Sequence, residues 1–408
     1  MKTVDEAARE ILESFAPLGE ERVALLSALG RFTSGEIRAR FDSPPFDNSA
    51  MDGYAVRAHQ LLGASQATPV RMAVRGESRA GGELPEPLAA AAAMRIFTGA
   101  PMPAEADAVV LQEDTARAGD EVAIHEAARA GANVRTRGSD LRVGELALPA
   151  HAPIGAGEIA LLASQEFASV TVHRRPRVAI LSTGDELRDI GEPARAGSIV
   201  NSNGYALAAQ VLEAGGEPWL LPPVPDRLDE ARRALRQALS ADVVVLSGGV
   251  SVGEYDVVRD ALAAEGLTLD FWKVRMKPGK PLAFARSGKV PVLGLPGNPV
   301  SAFVTFELFA RPGIRKMLGS ASPARPRVRV RLVERLERKP GRMEFARARL
   351  LRRGESLEAE LLRRQGSGAV TALAGVDALL VLPAEAETLA AGCELEAILL
   401  SSLPADSG

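Results

Sequence analysis

Between residues 177 and 320, short apolar runs alternate with longer stretches in which apolar residues recur at helical spacing. The runs RVAILS (177–182) and DVVVLSGG (242–249) are apolar almost throughout, whereas NGYALAAQVLEAGG and DRLDEARRALRQAL have the helical period. Strands that are apolar on both faces are typical of parallel sheets covered by helices on both sides. The pattern therefore predicts a parallel α/β domain that ends in a helix from about Pro299 to Leu318.

The regions before and after this stretch have a different pattern. Residues 46–140 contain short β-like runs separated by turns rich in glycine and proline, and strands and turns again dominate from residue 321. A chain of 408 residues is also longer than one hydrophobic core usually supports. We therefore predict four domains, which we list by residue range: a helical and linking domain (1–45 and 141–175), a β-rich inserted domain (46–140), the α/β domain (176–320) and a C-terminal β domain (321–408).

Three shorter segments give local predictions. The N-terminal stretch has Thr3 three residues before Glu6, the spacing of a capping box that opens an amphipathic helix. The alanine-rich segment PLAAAAAMRIF favours a short helix. The run RPRVRVRLVERLERK alternates arginine with apolar residues, which predicts a strand with one face in water; a polyanion-binding surface is the alternative.

Composition and charge exclude several classes of function. With the single cysteine Cys393, no internal disulfide can form, and the four histidines have no metal-ligand spacing, so a zinc site is not expected. A net charge of −3 gives no overall attraction to nucleic acid. The apolar runs fall short of the roughly 18 residues that span a bilayer, and the N-terminal stretch carries acids where an export signal would be apolar. We expect a cytoplasmic protein without nucleic-acid or membrane partners.

The lysines are concentrated in one place. Only seven of the 49 basic residues are lysine, and three of these seven, Lys273, Lys277 and Lys280, fall within eight positions. Lysine is a compact point charge on a flexible stem, which suits phosphate or another oxyanion. The cluster therefore predicts an oxyanion site, with a surface lysine cluster on a turn as the alternative.

Two loops that follow apolar strands carry glycine or proline. Gly248 and Gly249 come directly after a strand and shortly before a helix, where backbone N–H groups and a helix N-terminus can bind an anion. Strand-to-helix turns of this kind are also common for packing reasons. Residues Pro296 to Pro299 form a second loop whose prolines make it rigid, and this turn could be purely structural.

Several carboxylates are expected at the same edge of the predicted sheet. They follow three of its strands: Asp185, Glu186, Asp226, Glu254 and Asp256. Single acids near strand ends are usually caps or solvated. Several that converge beside an anion site would supply the oxygen ligands that Mg²⁺ prefers.

Seven motifs of this chain resemble, in order and spacing, those of the MoeA family of molybdopterin molybdenumtransferases, which includes the E domain of gephyrin. They are FDNSAMDGYAVR, TGAPMPAEADAVV, RGSDL, LSTGDEL, SGGVSVGEYD, FWKVRMKPGKPLAF and GLPGNPVSAF. The resemblance implies four domains, the last of them β-barrel-like, and a homodimer whose active site lies between the α/β domain of one subunit and the inserted domain of the other. It also implies a Mg²⁺-dependent reaction in which molybdate displaces AMP from adenylylated molybdopterin, giving molybdenum cofactor.

The resemblance also carries a set of functional residues onto this sequence: Asp52, Thr98, Asp140, Glu186, Asp226, Asp256, Lys273, Lys277, Pro296 and Pro299. To these we add, from the residues alone, Lys280 and the turn with Gly248, Gly249 and Ser251. Our hypothesis is that Glu186 and Asp256 bind Mg²⁺, with Asp226 as a further candidate ligand. The lysines would hold molybdate and phosphate. Asp52, Thr98 and Asp140 would reach in from the partner subunit.

Three other interpretations stay open at this point. A molybdopterin adenylyltransferase shares the α/β domain, although the extra domains and the lysine cluster argue against that activity; such an enzyme is also a candidate partner. A non-catalytic scaffold like gephyrin at synaptic receptors is a second alternative, against which the acids and lysines in every motif argue. Tungstate could replace molybdate, since the two oxyanions are nearly isosteric and no residue separates them.

Overall fold

The computed structural model describes residues 1–249 and 257–404, and its contacts divide the chain into two compact units. The first unit comprises residues 1–35, 151–155 and 169 onward, and the second comprises residues 36–150 and 156–168. The first therefore holds both the α/β region and the C-terminal strands. The four-domain boundaries stay a prediction.

The described residues form seven α-helices. In chain order they are α1 (Val4–Glu13), α2 (Ala156–Ser164), α3 (Ser202–Ala214), α4 (Leu228–Ala238), α5 (Val257–Ala264), α6 (Pro299–Thr305) and α7 (Arg311–Met317). A π-helical turn, Phe306–Ala310, joins α6 to α7, so the helix expected from Pro299 to Leu318 is confirmed with a wider turn at its centre. Across the described ranges, no helix has the length and apolar content needed to span a bilayer.

The strands of the N-terminal half are β1 (Glu20–Ala24), β2 (Ile37–Arg38), β3 (Asn48–Ser49), β4 (Gly53–Val56), β5 (Val70–Ser78), β6 (Ala92–Ile96), β7 (Ala108–Leu111), β8 (Thr115–Ala118), β9 (Glu121–Ile124), β10 (Val134–Arg135), β11 (Leu146–Leu148) and β12 (Ser169–His173). Those of the α/β region are β13 (Arg177–Ser182), β14 (Leu187–Arg188), β15 (Ile199–Val200), β16 (Glu217–Leu220), β17 (Val243–Ser247), β18 (Leu269–Lys273), β19 (Met276–Lys277), β20 (Pro281–Ser287) and β21 (Val290–Leu295). The C-terminal strands are β22 (Arg327–Leu332), β23 (Leu336–Glu337), β24 (Met343–Arg353), β25 (Ser356–Leu361), β26 (Ala378–Leu382), β27 (Thr388–Leu389) and β28 (Glu394–Leu399).

The predicted capping box at the start of α1 is confirmed. The Thr3 hydroxyl accepts a hydrogen bond from the backbone N–H of Glu6, and the Glu6 carboxylate accepts one from the backbone N–H of Thr3. Both bonds satisfy N–H groups that a helix leaves without an internal partner. The apolar side chains on the other face, Val4, Ala7 and Ile11, are buried in the main core of the first unit.

The central sheet of the first unit has the strand order β16-β13-β17-β21-β20-β18. Its first four strands pair in parallel, whereas β20 pairs antiparallel with both β21 and β18, so the predicted parallel pairing is confirmed for four strands only. The exceptions have a physical reason. A parallel pair needs a long crossover connection, whereas β20 and β21 are joined by only Gly288 and Lys289.

Both faces of this sheet are covered, as the apolar strands predict. Along β13, Val178 and Ile180 belong to one buried cluster, whereas Ala179 and Leu181 belong to another. Since successive side chains of a strand point to opposite faces, the two clusters lie on opposite sides of the sheet. The sheet is therefore buried between two helical layers and leaves only its edges and strand ends for ligands.

The C-terminal strands close into a five-stranded barrel, in which β24, β25, β22, β28 and β26 pair in turn and β26 pairs back with β24. The short strand β19 extends this sheet alongside β24. In β22 the arginines are exposed, whereas Val330 and Leu332 are buried, so the predicted strand with one wet face is confirmed. The barrel agrees with the β-barrel-like domain that the resemblance implies.

The second unit is built on a six-stranded sheet of order β7-β4-β6-β5-β9-β8, in agreement with the predicted β-rich segment. The helix predicted for the alanine-rich segment is wrong. Residues Ala92–Ile96 form β6, which pairs with β4 on one side and β5 on the other. Its small side chains are buried, so tertiary pairing outweighs the high helix propensity of alanine.

Candidate active site

A cavity of about 810 Å³ lies at the carboxyl ends of the parallel strands in the first unit. Loops that follow four neighbouring strands, β16, β13, β17 and β21, form its walls, and the start of α3, Pro281, Gly368 and Val370 also line it. Ligands of open α/β sheets bind at this edge, and the volume is in the range of small-molecule sites. The cavity is therefore the candidate binding site of this unit.

Six of the residues singled out in the sequence line this one cavity: Glu186, Asp226, Gly248, Gly249, Pro296 and Pro299. They come from four separate loops, so only the fold brings them together. Three others, Ser251, Glu254 and Asp256, lie outside the described residues. The roles given to the whole set stay predictions.

The glycine turn has a geometry that only glycine allows. Gly248 and Gly249 have φ values of 92° and 59°, and a Cβ atom on them would lie 2.6 Å from the Thr183 carbonyl oxygen and 2.4 Å from Cγ2 of Val258, respectively. Both contacts are too close for a real Cβ atom. The Gly248 N–H donates to the Leu295 carbonyl oxygen at 3.2 Å, so an anion could use this N–H only by displacing that bond. Part of the predicted anion cradle therefore holds neighbouring strand ends together.

Carboxylates crowd one wall of the cavity. The backbone N–H of Asp226 donates to the Asp185 carboxylate at 3.1 Å. Partial burial raises the pKa of Asp226, and the negative charges of Asp185 and Glu186 raise it further. Because like charges oppose ionisation, a cation bound beside Asp226 and Glu186 would relieve the repulsion.

This donor set fits Mg²⁺ in kind, although it is small. Magnesium is usually bound by one or two carboxylates together with waters and substrate phosphates, and the cavity supplies Glu186 and Asp226. Within residues 1–249 and 257–404, no three His, Cys, Asp or Glu side chains are grouped to hold a metal ion. A magnesium ion here would therefore depend on oxygens of the ligand as well as of the protein.

None of the three clustered lysines lies in the cavity wall. All three are exposed. Lys277 in β19 pairs in register with Glu344 of β24, and its Nζ lies 2.8 Å from the carboxylate of that residue. Lys280 comes directly before Pro281, which does line the cavity. Lys280 is therefore adjacent in sequence to the cavity lining, whereas Lys277 has an anionic partner on β24.

Three predicted residues belong to the second unit. The Asp52 carboxylate accepts hydrogen bonds from the backbone N–H and the hydroxyl of Thr98, both at 2.8 Å, and these bonds lower the pKa of Asp52. Asp140 instead accepts a bond from the Ser43 hydroxyl at 3.2 Å. All three side chains are exposed. The structure thus pairs Asp52 with Thr98, which the sequence treated as separate candidates.

Several residues of the cavity wall were not found from the sequence. The Asn203 carboxamide Nδ2 donates to the Ser247 hydroxyl at 3.0 Å and to the Gly297 carbonyl oxygen at 2.7 Å. The hydroxyl of Thr183 is buried and has no hydrogen-bond partner among the described residues. The polar run Asn-Ser-Asn (201–203) at the start of α3 was the only available signal for Asn203. Gly368 and Val370, which come from the C-terminal region, gave no signal at all.

The fold and the cavity define a multidomain α/β protein with a small-molecule site at the edge of a parallel sheet. Three family models match consecutive parts of the chain. The model described as the MoeA N-terminal region (domain I and II) matches residues 2–166, that of a probable molybdopterin binding domain matches residues 179–316, and that of the MoeA C-terminal region (domain IV) matches residues 329–400.

Relatives in other organisms agree with these matches. A molybdopterin molybdenumtransferase of Nostoc sp. is 43% identical over 310 residues, which cover 75% of this chain and 71% of the relative. A molybdopterin molybdenumtransferase 2 of Mycobacterium tuberculosis is 36% identical over 402 residues, which cover 97% of this chain and 99% of that protein. A crystal structure of a molybdopterin biosynthesis MoeA protein from Pyrococcus horikosii has a TM-score of 0.82 at 32% identity, covering 98% of this chain and 99% of that one. The chain belongs to the MoeA family of molybdopterin molybdenumtransferases.

Proposed function

We propose that this protein is an enzyme that inserts molybdenum into adenylylated molybdopterin with release of AMP, forming molybdenum cofactor. The observation that carries the proposal is the cavity at the carboxyl edge of the parallel sheet, where acids, a glycine turn and a proline loop meet. It lies within the region that matches the probable molybdopterin binding domain. The names of the relatives support the same activity.

The chemistry of the wall suits a polar, phosphate-bearing ligand. Polar residues from several loops, among them Glu186, Asp226 and Asn203, line this space, and the Thr183 hydroxyl has no hydrogen-bond partner among the described residues. A buried polar group without a partner costs free energy, which a ligand hydrogen bond would recover. A polar substrate therefore gains more from this cavity than an apolar one of the same size.

Charge compensation is the main task of the proposed site. Breaking a phosphoanhydride while a second oxyanion enters brings several negative charges together, and two unit charges 4 Å apart interact with about 4 kcal/mol at the effective dielectric near a protein surface. We propose that Glu186 and Asp226 hold Mg²⁺ together with Asp256, which lies outside the described residues. When bound, the ion would supply electrostatic stabilisation of the phosphate oxygens. The exposed amines of Lys273, Lys277 and Lys280 would attract molybdate to the adjacent rim.

The second unit enters the proposal through a partner copy. Asp52, Thr98 and Asp140 are exposed, and we propose that in a homodimer they approach the cavity of the other subunit. The Thr98 bonds keep Asp52 ionised to lower pH, so it would act as a hydrogen-bond acceptor. A cytoplasmic location and an adenylyltransferase partner stay predictions.

The direct test is incubation of the purified protein with adenylylated molybdopterin, Mg²⁺ and molybdate while AMP is followed. We expect AMP release that depends on both the oxyanion and the divalent ion. ATP consumption with unadenylylated molybdopterin would instead indicate an adenylyltransferase, and binding of a partner peptide without AMP release would indicate a scaffold. A parallel series with tungstate decides between the two oxyanions.

A further inference from the structure

Asn203 joins two loops that form adjacent walls of the cavity. It is the second residue of α3, and its Nδ2 donates to the hydroxyl of Ser247, at the end of β17, and to the carbonyl oxygen of Gly297, after β21. Because a carbonyl oxygen can only accept, the bond to Gly297 requires the nitrogen of the carboxamide at this position. One side chain therefore connects one helix with the ends of two strands.

The loops that Asn203 joins are also in contact with each other. The Gly248 N–H donates to the Leu295 carbonyl oxygen, and a Cβ atom built on Gly297 would lie 3.5 Å from the Cα of Gly248. Small relative shifts of the loops would thus change the position of the backbone groups that face the ligand. Positioning of this kind has large effects on rate, since reacting groups must be held in a narrow geometry.

Asn203 is not needed to start its own helix. The N-cap of α3 is Asn201, whose side chain accepts a hydrogen bond from the Gly204 N–H at 3.1 Å. That bond satisfies a free N–H of the first turn, which is the usual task of a polar residue at this place. The two bonds of Asn203 go to other elements, and both end at the cavity wall.

We propose that Asn203 is a positioning residue of this site, which fixes the Gly248–Gly249 turn against the Pro296–Pro299 loop. As a contribution to catalysis, this inference rests on the proposed function, because the reaction it supports is molybdenum insertion. The positioning itself is a property of the protein that can be measured without any substrate.

The test compares Asn203→Ala and Asn203→Asp with Ser247→Ala, which removes only one of the two contacts. Amide hydrogen exchange of Gly248 reports the fixation of the turn, and kcat and KM for adenylylated molybdopterin report its use. We expect exchange at Gly248 to be about fivefold faster in Ser247→Ala and about 30-fold faster in Asn203→Ala, the values for one and two net hydrogen bonds. In Asn203→Asp a carboxylate oxygen would face the Gly297 carbonyl oxygen. Exchange at Gly248 should therefore be at least as fast in this variant as in Asn203→Ala. We expect the loss in AMP release to fall mainly on kcat.

Gln237→Ala and Gln237→Glu are the matched controls, because Gln237 carries an exposed carboxamide on α4, away from the cavity wall. Exchange at Gly248 within twofold of the wild type in both Asn203 variants would overturn the proposal. If wild-type protein releases no AMP, the proposed function fails, yet the exchange series still decides whether Asn203 fixes the turn. If Asn203→Ala does not fold, the Ser247→Ala variant tests one of the two contacts in its place.

Discussion

Replacing Gly248 by alanine should lower the free energy of unfolding of the first unit, for two separable reasons, and should also reduce AMP release by the protein. A residue with a side chain at φ 92° is strained, which costs about 1–2 kcal/mol. The new Cβ would also lie 2.6 Å from the Thr183 carbonyl oxygen, and since that atom is backbone, no side-chain rotation relieves the contact. Moving a strand end costs about 1–3 kcal/mol more.

Gly288 provides the matched control. It has φ 57° in the β20–β21 turn, and a Cβ atom there would have nothing within 4 Å. Gly288→Ala therefore has the conformational cost alone, partly offset by about 0.4–1 kcal/mol from the lower entropy of the unfolded chain. We expect a free energy of unfolding lower by about 3 kcal/mol or more for Gly248→Ala and by about 1 kcal/mol for Gly288→Ala.

Urea unfolding followed by tryptophan fluorescence measures the difference, because both tryptophans, Trp219 and Trp272, belong to the first unit. The midpoint should shift by about 1 M more for Gly248→Ala than for Gly288→Ala, given the usual dependence of stability on urea. Equal shifts of the two variants would refute the reasoning, since they would mean that the close contact with Thr183 has no cost. AMP release should fall in Gly248→Ala and stay unchanged in Gly288→Ala.

Three further predictions concern charges. Lys277→Ala should reduce AMP release at least tenfold by weakening oxyanion binding. Lys289→Ala should leave AMP release unchanged, because Lys289 precedes β21 and the cavity lies at the carboxyl end of that strand. Equal rates for wild type and Lys277→Ala would remove Lys277 from the site. Folding raises the pKa of the Asp226 carboxyl, so the folded protein favours the protonated form. The ionised carboxylate therefore lowers the free energy of unfolding at any pH above the folded-state pKa, and the effect vanishes below the pKa of the unfolded chain, where Asp226 is protonated in both states. Asp226→Asn should therefore raise Tm at pH 7 but not at pH 3, and should reduce stabilisation by added Mg²⁺; an unchanged Tm at pH 7 would contradict this. Arg325→Ala should lower the free energy of unfolding by about 1.5–3 kcal/mol. It removes a charged hydrogen bond of 2.7 Å from the buried Glu307, which keeps Arg311 and Gln210 as partners. A urea midpoint like that of the wild type would refute this.

Local patterns were sufficient where short-range forces decide the structure. The capping box at Thr3 and Glu6 and the wet face of β22 follow from hydrogen bonds and side-chain alternation within a few residues. The apolar runs of β13 and β17 likewise predicted a sheet covered on both faces. The strand at Ala92–Ile96 could not be predicted in this way, because its partners are distant in sequence and their pairing outweighs alanine's preference for helices.

The sequence by itself determined the α/β architecture and several of the residues at the cavity, since strand ends and the loops after them can be recognised from apolar runs and glycines. Only the tertiary structure decided which of these residues meet. It put Glu186 and Asp226 in one wall, left the lysines outside the lining, paired Lys277 with Glu344, and added Asn203 and Gly368. The physical reason is that side chains far apart in the chain become neighbours only when the strands pair and the helices pack, and no local pattern encodes those distances.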